Sequence, residues 1–167
     1  MAIRRVMGLA LSCFAALAAA QRASDVIEPV EEVVTPPSSY SKDALIAIEM
    51  PPHVSLKIGI DPSTIAVFPD SVMRYVVVMR NTSGSTTVAY EGIHCAKGDV
   101  KTYARVNSAG TWVSVSQPQW RSLANNSATR HAQAIAQQGG CDEGIAGRKR
   151  EDVINALKGL QRSQYAN

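Results

Sequence analysis

Two cysteines constrain the fold of this chain most, because both lie downstream of a segment typical of export signals. Cys95 ends the strand-like run Tyr90-Glu91-Gly92-Ile93-His94-Cys95, and Cys141 follows Gly139-Gly140. Two cysteines in an oxidising compartment pair by default. We therefore predict a disulfide between Cys95 and Cys141, and the chain-entropy account assigns such a bond roughly 3–4 kcal/mol of stabilisation.

A zinc site is the alternative to this disulfide, because His94 and His131 could complete a set of two cysteines and two histidines. Such sites are usually built from short C-x-x-C and H-x-x-x-H pairs, and the chain contains neither. The spacing therefore favours the disulfide and predicts no metal and no other cofactor.

The N-terminus has the order of a secretory signal peptide. Arg4 and Arg5 precede the mostly apolar run Val6–Leu17, which is followed by three alanines ending at Ala20. The run is shorter than the roughly 20 residues of a membrane-spanning helix, so we expect residues 1–20 to be cleaved and no membrane span to remain. Lipoprotein anchoring through Cys13 fits poorly, because it would leave apolar residues at the mature N-terminus.

The charge of the chain is small and unevenly distributed. The formal net charge of +3 includes Arg4 and Arg5, so the chain after cleavage carries +1. A balance of this kind argues against nucleic-acid binding by bulk charge. Acidic residues concentrate in residues 21–43, which leaves a positive excess in the remainder and permits an anionic partner, such as an envelope protein or an anionic envelope component.

Residues 21–43 read as an acidic, proline-containing linker without a sustained apolar period. This composition predicts a tether that is dispensable for folding. The alternative is a partner-binding arm anchored through Val33, Val34 and Tyr40. A single folded domain is then expected over residues 44–162, with a short tail over 163–167.

The domain has the pattern of an α+β fold. Short runs of alternating apolar and polar residues, separated by turn signals, predict an antiparallel meander of about five to six strands. The strongest strand signal is Val72–Arg80, with Met73, Tyr75, Val77 and Met79 on its core-facing side and Arg74 on the other. Two C-terminal helices follow, over Ala128–Gln138 and from Arg150 onward with a stripe of Val153, Leu157 and Leu160, and we expect both to pack on the sheet.

Glu91 decides how the polar side chains of the sheet are distributed. Strict alternation would bury its charge, whereas a bulge at Gly92 would leave Glu91 and His94 outside. The bulge predicts a polar outer face that forms a shallow binding surface, whose residues are Arg74, Glu91, His94, Tyr103, Arg105 and Trp112. The alternative is an ordinary solvated face on which Arg74 and Glu91 form a weak ion pair. In either case Arg74→Ala or Arg105→Ala should change stability by only about 0.5 kcal/mol.

Catalysis has little support in the sequence. Glu91 and His94 could form an acid–base pair, but Cys95 is committed to the disulfide, and neither G-x-S-x-G nor H-E-x-x-H occurs. No catalytic residue is therefore assigned. The sequence favours an exported, periplasmic, non-enzymatic binding or accessory domain of the cell envelope; the alternative is a hydrolase-like envelope enzyme that uses Glu91 and His94.

A set of short motifs resembles the cryptic neisserial protein family, a group of small exported bacterial proteins. The motifs are Arg74-Tyr75-Val76-Val77-Val78, Tyr90-Glu91-Gly92-Ile93-His94-Cys95, Tyr103-Ala104, Thr111-Trp112, Trp120 and Cys141. The resemblance covers about residues 45–160, and the approach to the second cysteine departs from the family pattern. It implies an exported bacterial domain without an established activity, and it transfers no catalytic residues.

Overall fold

The computed structural model describes residues 31–124, 127–141 and 148–164, with backbone only from 160 onward. The predicted signal peptide, Cys13 and the first part of the predicted linker lie outside these residues. So does the side chain of Leu160. The C-terminal helix, Arg150–Gln164, continues two residues into the predicted tail.

The described residues form eight strands, two helices and short 3-10 turns. The strands are β1 (Ile46–Ile48), β2 (Lys57–Ile60), β3 (Ala66–Val67), β4 (Val72–Arg80), β5 (Thr86–His94), β6 (Asp99–Val106), β7 (Trp112–Ser114) and β8 (Arg121–Ser122). The helices are α1 (Arg130–Ile135), which widens into a π-helical turn over Ala136–Gly140, and α2 (Arg150–Gln164). The α+β class and the bounds of β4 are confirmed, whereas β8 was not expected.

All strand pairs are antiparallel, and the sheet has the order β1-β2-β4-β5-β6-β7. The two shortest strands lie beside this path, β3 on β4 and β8 on β6. The predicted number of five to six strands matches the continuous path. The two additional pairings involve only two residues on each strand.

The first face of the sheet carries the main hydrophobic core. The predicted core-facing residues of β4 are in it, with Met73, Tyr75 and Val77 fully buried. Helix residues pack on this face, among them Ile135, Val153 and Leu157. The prediction that the helices cover one face of the sheet is therefore confirmed.

The predicted bulge at Gly92 is wrong. Strand β5 pairs with β4 without interruption, so its side chains alternate strictly. The irregularity lies instead on β6: Tyr90 pairs with Ala104 and Glu91 with Thr102, which leaves Tyr103 as the extra residue. Gly92 serves the packing of that residue, because a Cβ atom at Gly92 would lie 2.9 Å from the Tyr103 hydroxyl.

The second face of the sheet is buried rather than solvated. Its cluster contains Val76, Val78, Val88, Tyr90 and Ala104. Part of the predicted linker covers it, since Val34 and Tyr40 pack against this cluster. Residues 31–43 have no regular secondary structure, which is typical of a linker. They nevertheless form a layer on the sheet.

Backbone and side-chain hydrogen bonds hold residues 31–43, called the arm below, in place. The indole Nε1 of Trp112 donates to the Pro37 carbonyl at 3.0 Å, and the Ser41 amide donates to Asp61 Oδ2 at 2.6 Å. Arg80 donates to the Lys42 carbonyl at 2.7 Å. Of the three residues expected to anchor an arm, Val34 and Tyr40 are packed whereas Val33 is fully exposed.

The predicted disulfide between Cys95 and Cys141 is present, with Cα atoms 5.4 Å apart. It joins the chain just after β5 to the end of the π-helical turn, across the first face. Among the described residues, no helix is long and apolar enough to cross a membrane.

Candidate functional site

Glu91 lies in the core-facing side of β5 and is 1% exposed. Its Oε1 accepts a hydrogen bond from the Thr102 hydroxyl at 3.0 Å, and its Oε2 lies 2.8 Å from His131 Nε2. The Tyr75 hydroxyl also lies 3.5 Å from Oε2. The expectation that Glu91 is solvated is therefore wrong: alternation buries the carboxylate, and the two neighbouring strands β4 and β6 and helix α1 supply its polar partners.

The contact with Glu91 fixes which nitrogen of His131 carries hydrogen. An ionised carboxylate can only accept hydrogen bonds, so His131 must donate through Nε2. A neutral imidazole in this tautomer has its lone pair on Nδ1. The described residues form no hydrogen bond with Nδ1, which leaves that atom available to a ligand.

A cavity of about 400 Å³ opens beside this pair on the first face of the sheet. Glu91, Thr102 and His131 contribute polar atoms to its wall, and the ends of β6 and β8 and the turn Ser127–Thr129 form its rim. Apolar side chains complete the lining, among them Met50, Leu56, Met79 and Val100. Ten of the 18 described lining residues are polar or charged, so the cavity suits a ligand that has both a polar and an apolar part.

Three arginines line this cavity from three different elements: Arg105 on β6, Arg121 on β8 and Arg130 on α1. None of the three makes a hydrogen bond or ion pair with another residue in the part of the chain that the structure describes. Among the described residues that line the cavity, Glu91 is the one acidic side chain, and it is already engaged by His131. The cavity therefore carries an excess of positive charge.

Arg74 lies on the opposite face and is fully buried. Its guanidinium donates to both carboxylate oxygens of Asp70, at 3.1 and 2.5 Å, and lies 4.4 Å from the centre of the Phe68 ring. Burial would lower the pKa of Arg74, but Asp70 and then Tyr103 raise it above its ordinary value. The predicted surface position of Arg74 and its predicted pairing with Glu91 are both wrong.

Tyr103 belongs to this buried cluster on the second face. Its hydroxyl donates to Glu31 Oε1 of the arm at 2.8 Å, and Lys101 forms an ion pair with the same carboxylate. Burial, followed by the bond to Glu31, raises the pKa of Tyr103 well above its ordinary range. Burial would likewise raise the pKa of Glu31, but Lys101 and Tyr103 hold it below the usual value.

The remaining predicted residues divide between the two faces. His94 and Trp112 lie on the second face, with His94 beside Trp120 and Trp112 against Tyr40. Arg105 is exposed and lines the cavity of the first face. The predicted binding surface is therefore not continuous: Glu91 and Arg105 share one face, and the other four residues share the opposite one.

Glu91 and His94 do not form a pair. They are three residues apart on a regularly alternating strand, so their side chains project from opposite faces. His131 occupies the place that the sequence interpretation gave to His94. The sequence interpretation had considered His131 only as a possible zinc ligand on the predicted helix Ala128–Gln138. The sequence did contain one signal for this contact. Strict alternation places Glu91 on the core side of its strand, and a buried charge requires a polar partner.

Arg121 and Arg130 were also missed as site residues, because they lie in short elements whose position on the sheet has no local pattern. The described residues contain no group of three or more histidines, cysteines and acidic residues placed to hold a metal ion.

Comparison with known proteins gives one family assignment. A family model described as the CNP1-like family matches residues 28–158. No curated protein and no solved structure gives a significant match. The matched region begins three residues before the arm and includes both cysteines of the disulfide, Glu91, His131 and the three cavity arginines. The chain belongs to the CNP1-like family.

Proposed function

We propose that the chain is an exported periplasmic domain without catalytic activity, which binds an anionic component of the cell envelope in the cavity of the first face. Export is supported by the order of residues 1–20 and by the disulfide, since disulfides persist in oxidising compartments. The observation that carries the binding proposal is the presence in one cavity of three arginines that make no hydrogen bond or ion pair with the described residues.

Arginines favour anionic ligands for a geometric reason. A guanidinium presents a planar set of donors that matches a carboxylate or a phosphate, and it is always charged at physiological pH. Arg105, Arg121 and Arg130 come from separate elements, so the fold rather than one local run of charge brings them to the cavity. The apolar part of the lining would accommodate the uncharged part of the same ligand.

Affinity capture from the native periplasm tests this proposal. The tagged mature protein would be recovered, and bound small molecules would be extracted and identified by mass spectrometry. An Arg105→Ala/Arg121→Ala variant should lose the captured anion. A Lys57→Ala/Lys158→Ala variant removes the same charge from exposed sites elsewhere and should retain it. Equal recovery from both variants would place the function outside the cavity.

Hydrolysis is the second candidate function, and the Glu91–His131 contact is the observation that favours it. A carboxylate that orients an imidazole is a frequent arrangement for a general base. The pair would replace the Glu91 and His94 pair considered from the sequence. Release of nitrophenol from anionic nitrophenyl esters, abolished in His131→Gln but not in Lys57→Ala, would support an enzyme; equal background rates in all three proteins would exclude this role.

A further inference from the structure

His131 is placed to contact a ligand in the cavity, and its partner is placed to control its charge. The side chain is 13% exposed and lines the cavity, and Nε2 is occupied by Glu91 at 2.8 Å. Of the two ring nitrogens, Nδ1 is the one that makes no hydrogen bond with the described residues and can meet a ligand. In the neutral tautomer Nδ1 presents a lone pair, which repels an anion, whereas in the imidazolium Nδ1–H donates to it.

The other groups around His131 do not take up this proton. Thr102 donates to Glu91, and Tyr75 is kept neutral because burial, followed by the Glu91 charge, raises its pKa well above the ordinary value. The three arginines of the cavity stay charged at any physiological pH. Histidine is the side chain that ordinarily changes charge between about pH 5 and 8, so a proton gained on ligand binding would reside on His131.

Resting on the proposed anion site, we infer that His131 is a fourth cationic contact and that an anion binds the cavity together with one proton. The proton goes from solvent to His131 Nδ1, and Glu91 stabilises the imidazolium from the other side. The bound anion and the buried carboxylate then flank the ring as two negative partners. Affinity for anions must fall as the pH rises, because loss of the His131 proton leaves a lone pair on Nδ1, which repels the anion.

Sulfate is a suitable probe because it remains fully ionised throughout the range in which histidine titrates. Sulfate binding to the disulfide-bonded mature protein would be measured by calorimetry at about pH 5.5 and about pH 8.5. The native protein should bind roughly tenfold more tightly at the lower pH. His131→Gln keeps a side-chain donor for Glu91 and should bind equally at both pH values, with the weaker affinity.

Nitrogen chemical shifts of His131 in the native protein provide a second measurement that needs no variant. Addition of sulfate should increase the fraction of the ring that is doubly protonated. Binding that is independent of pH, or a pH dependence retained in His131→Gln, would overturn the inference while leaving the anion site intact. No sulfate binding at either pH, or binding unchanged in Arg105→Ala/Arg121→Ala, would overturn the anion site itself.

Discussion

Arg74 and Arg105 show how strongly the position of one residue changes its energetic role. Both are arginines on neighbouring parts of the sheet, and the sequence interpretation gave them the same outer face. Arg74 is fully buried and is held by Asp70, whereas Arg105 is exposed at the cavity and unpaired among the described residues. Removing a buried cation leaves its carboxylate partner uncompensated, which costs far more than removing a surface charge.

We therefore predict that Arg74→Ala lowers the free energy of unfolding by about 3 kcal/mol or more, since Asp70 remains buried without its partner. Arg105→Ala should change it by only about 0.5 kcal/mol. Urea unfolding followed by circular dichroism gives both values. Similar small losses for the two variants would mean that the Arg74 side chain is solvated.

The environment of the Asp70 carboxyl should make the stability of the fold sensitive to acid. Burial would raise its pKa, but the hydrogen bonds from Arg74 and from the Glu32 and Val72 amides hold the pKa below its ordinary value. A depressed pKa stabilises the fold above the unfolded-state value of about 3.9, and this contribution is lost as the pH falls through the folded-state pKa.

The free energy of unfolding measured at a series of pH values tests this. The native protein should lose stability below about pH 4, and Asp70→Asn, although less stable at neutral pH, should lose less on acidification. Glu49→Gln is the control, because that side chain is exposed. An identical acid slope in all three proteins would assign the sensitivity to other carboxyls.

At the scale of elements, the π-helical turn Ala136–Gly140 connects α1 to the disulfide. Gly139 has a φ of +113°, and a Cβ atom there would lie 2.8 Å from the backbone carbon of Ala156 in α2. The sequence analysis predicted only that a helix ends at Gln138, just before Gly139. The structure shows that the glycine also permits the close approach of the two helical segments.

Gly139→Ala should therefore be more destabilising than substitution of an unpacked glycine that also has a positive φ. Gly98 is the matched control, since its φ is +66° and nothing lies within 4 Å of an added Cβ. We expect a loss of about 1 kcal/mol for Gly98→Ala from backbone strain, and roughly 2 kcal/mol more for Gly139→Ala from the contact with α2. Thermal unfolding of both variants measures the difference.

Local patterns explain which elements could be predicted. β4 and α2 have long, regular periods, and their positions follow from the sequence. The pairing of Glu91 with His131 depends on how a helix docks on the sheet, which no local pattern encodes. The displaced bulge had a similar cause: glycine is a common bulge residue, yet Gly92 is required because Tyr103 of the next strand occupies the space of its Cβ.

At the scale of the whole molecule, the sheet lies between two unlike layers. Helices α1 and α2 cover the first face, and the arm covers the second. The composition of residues 21–43 suggested a dispensable tether because it is acidic and rich in proline. The composition of the arm gives the number of its own apolar residues but not the apolar area of the surface that the arm covers. The aromatic residues Tyr90 and Trp112 belong to that surface.

Removal of the arm tests its contribution. A mature chain beginning at Asp43 should melt roughly 10 °C or more below one beginning at Val30. The shorter chain lacks Tyr40 and Glu31, so the aromatic and charged groups that these residues contact on the second face become exposed. Differential scanning calorimetry of the two proteins measures this. Equal melting temperatures would show that the domain needs only residues from 44 onward. Whether residues 21–29 are dispensable stays a prediction, tested by comparing the Val30 start with the full mature chain.

The short outer strands of the sheet affect how copies of the protein meet one another. β1 and β7, which end the strand order, have three residues each, and Pro51 and Pro52, which have no amide hydrogen, follow soon after β1. An exposed strand edge recruits a neighbouring chain in proportion to its unpaired amides and carbonyls. These edges offer few such groups, so crowding of many folded copies should not lead to fibrous, edge-to-edge aggregation.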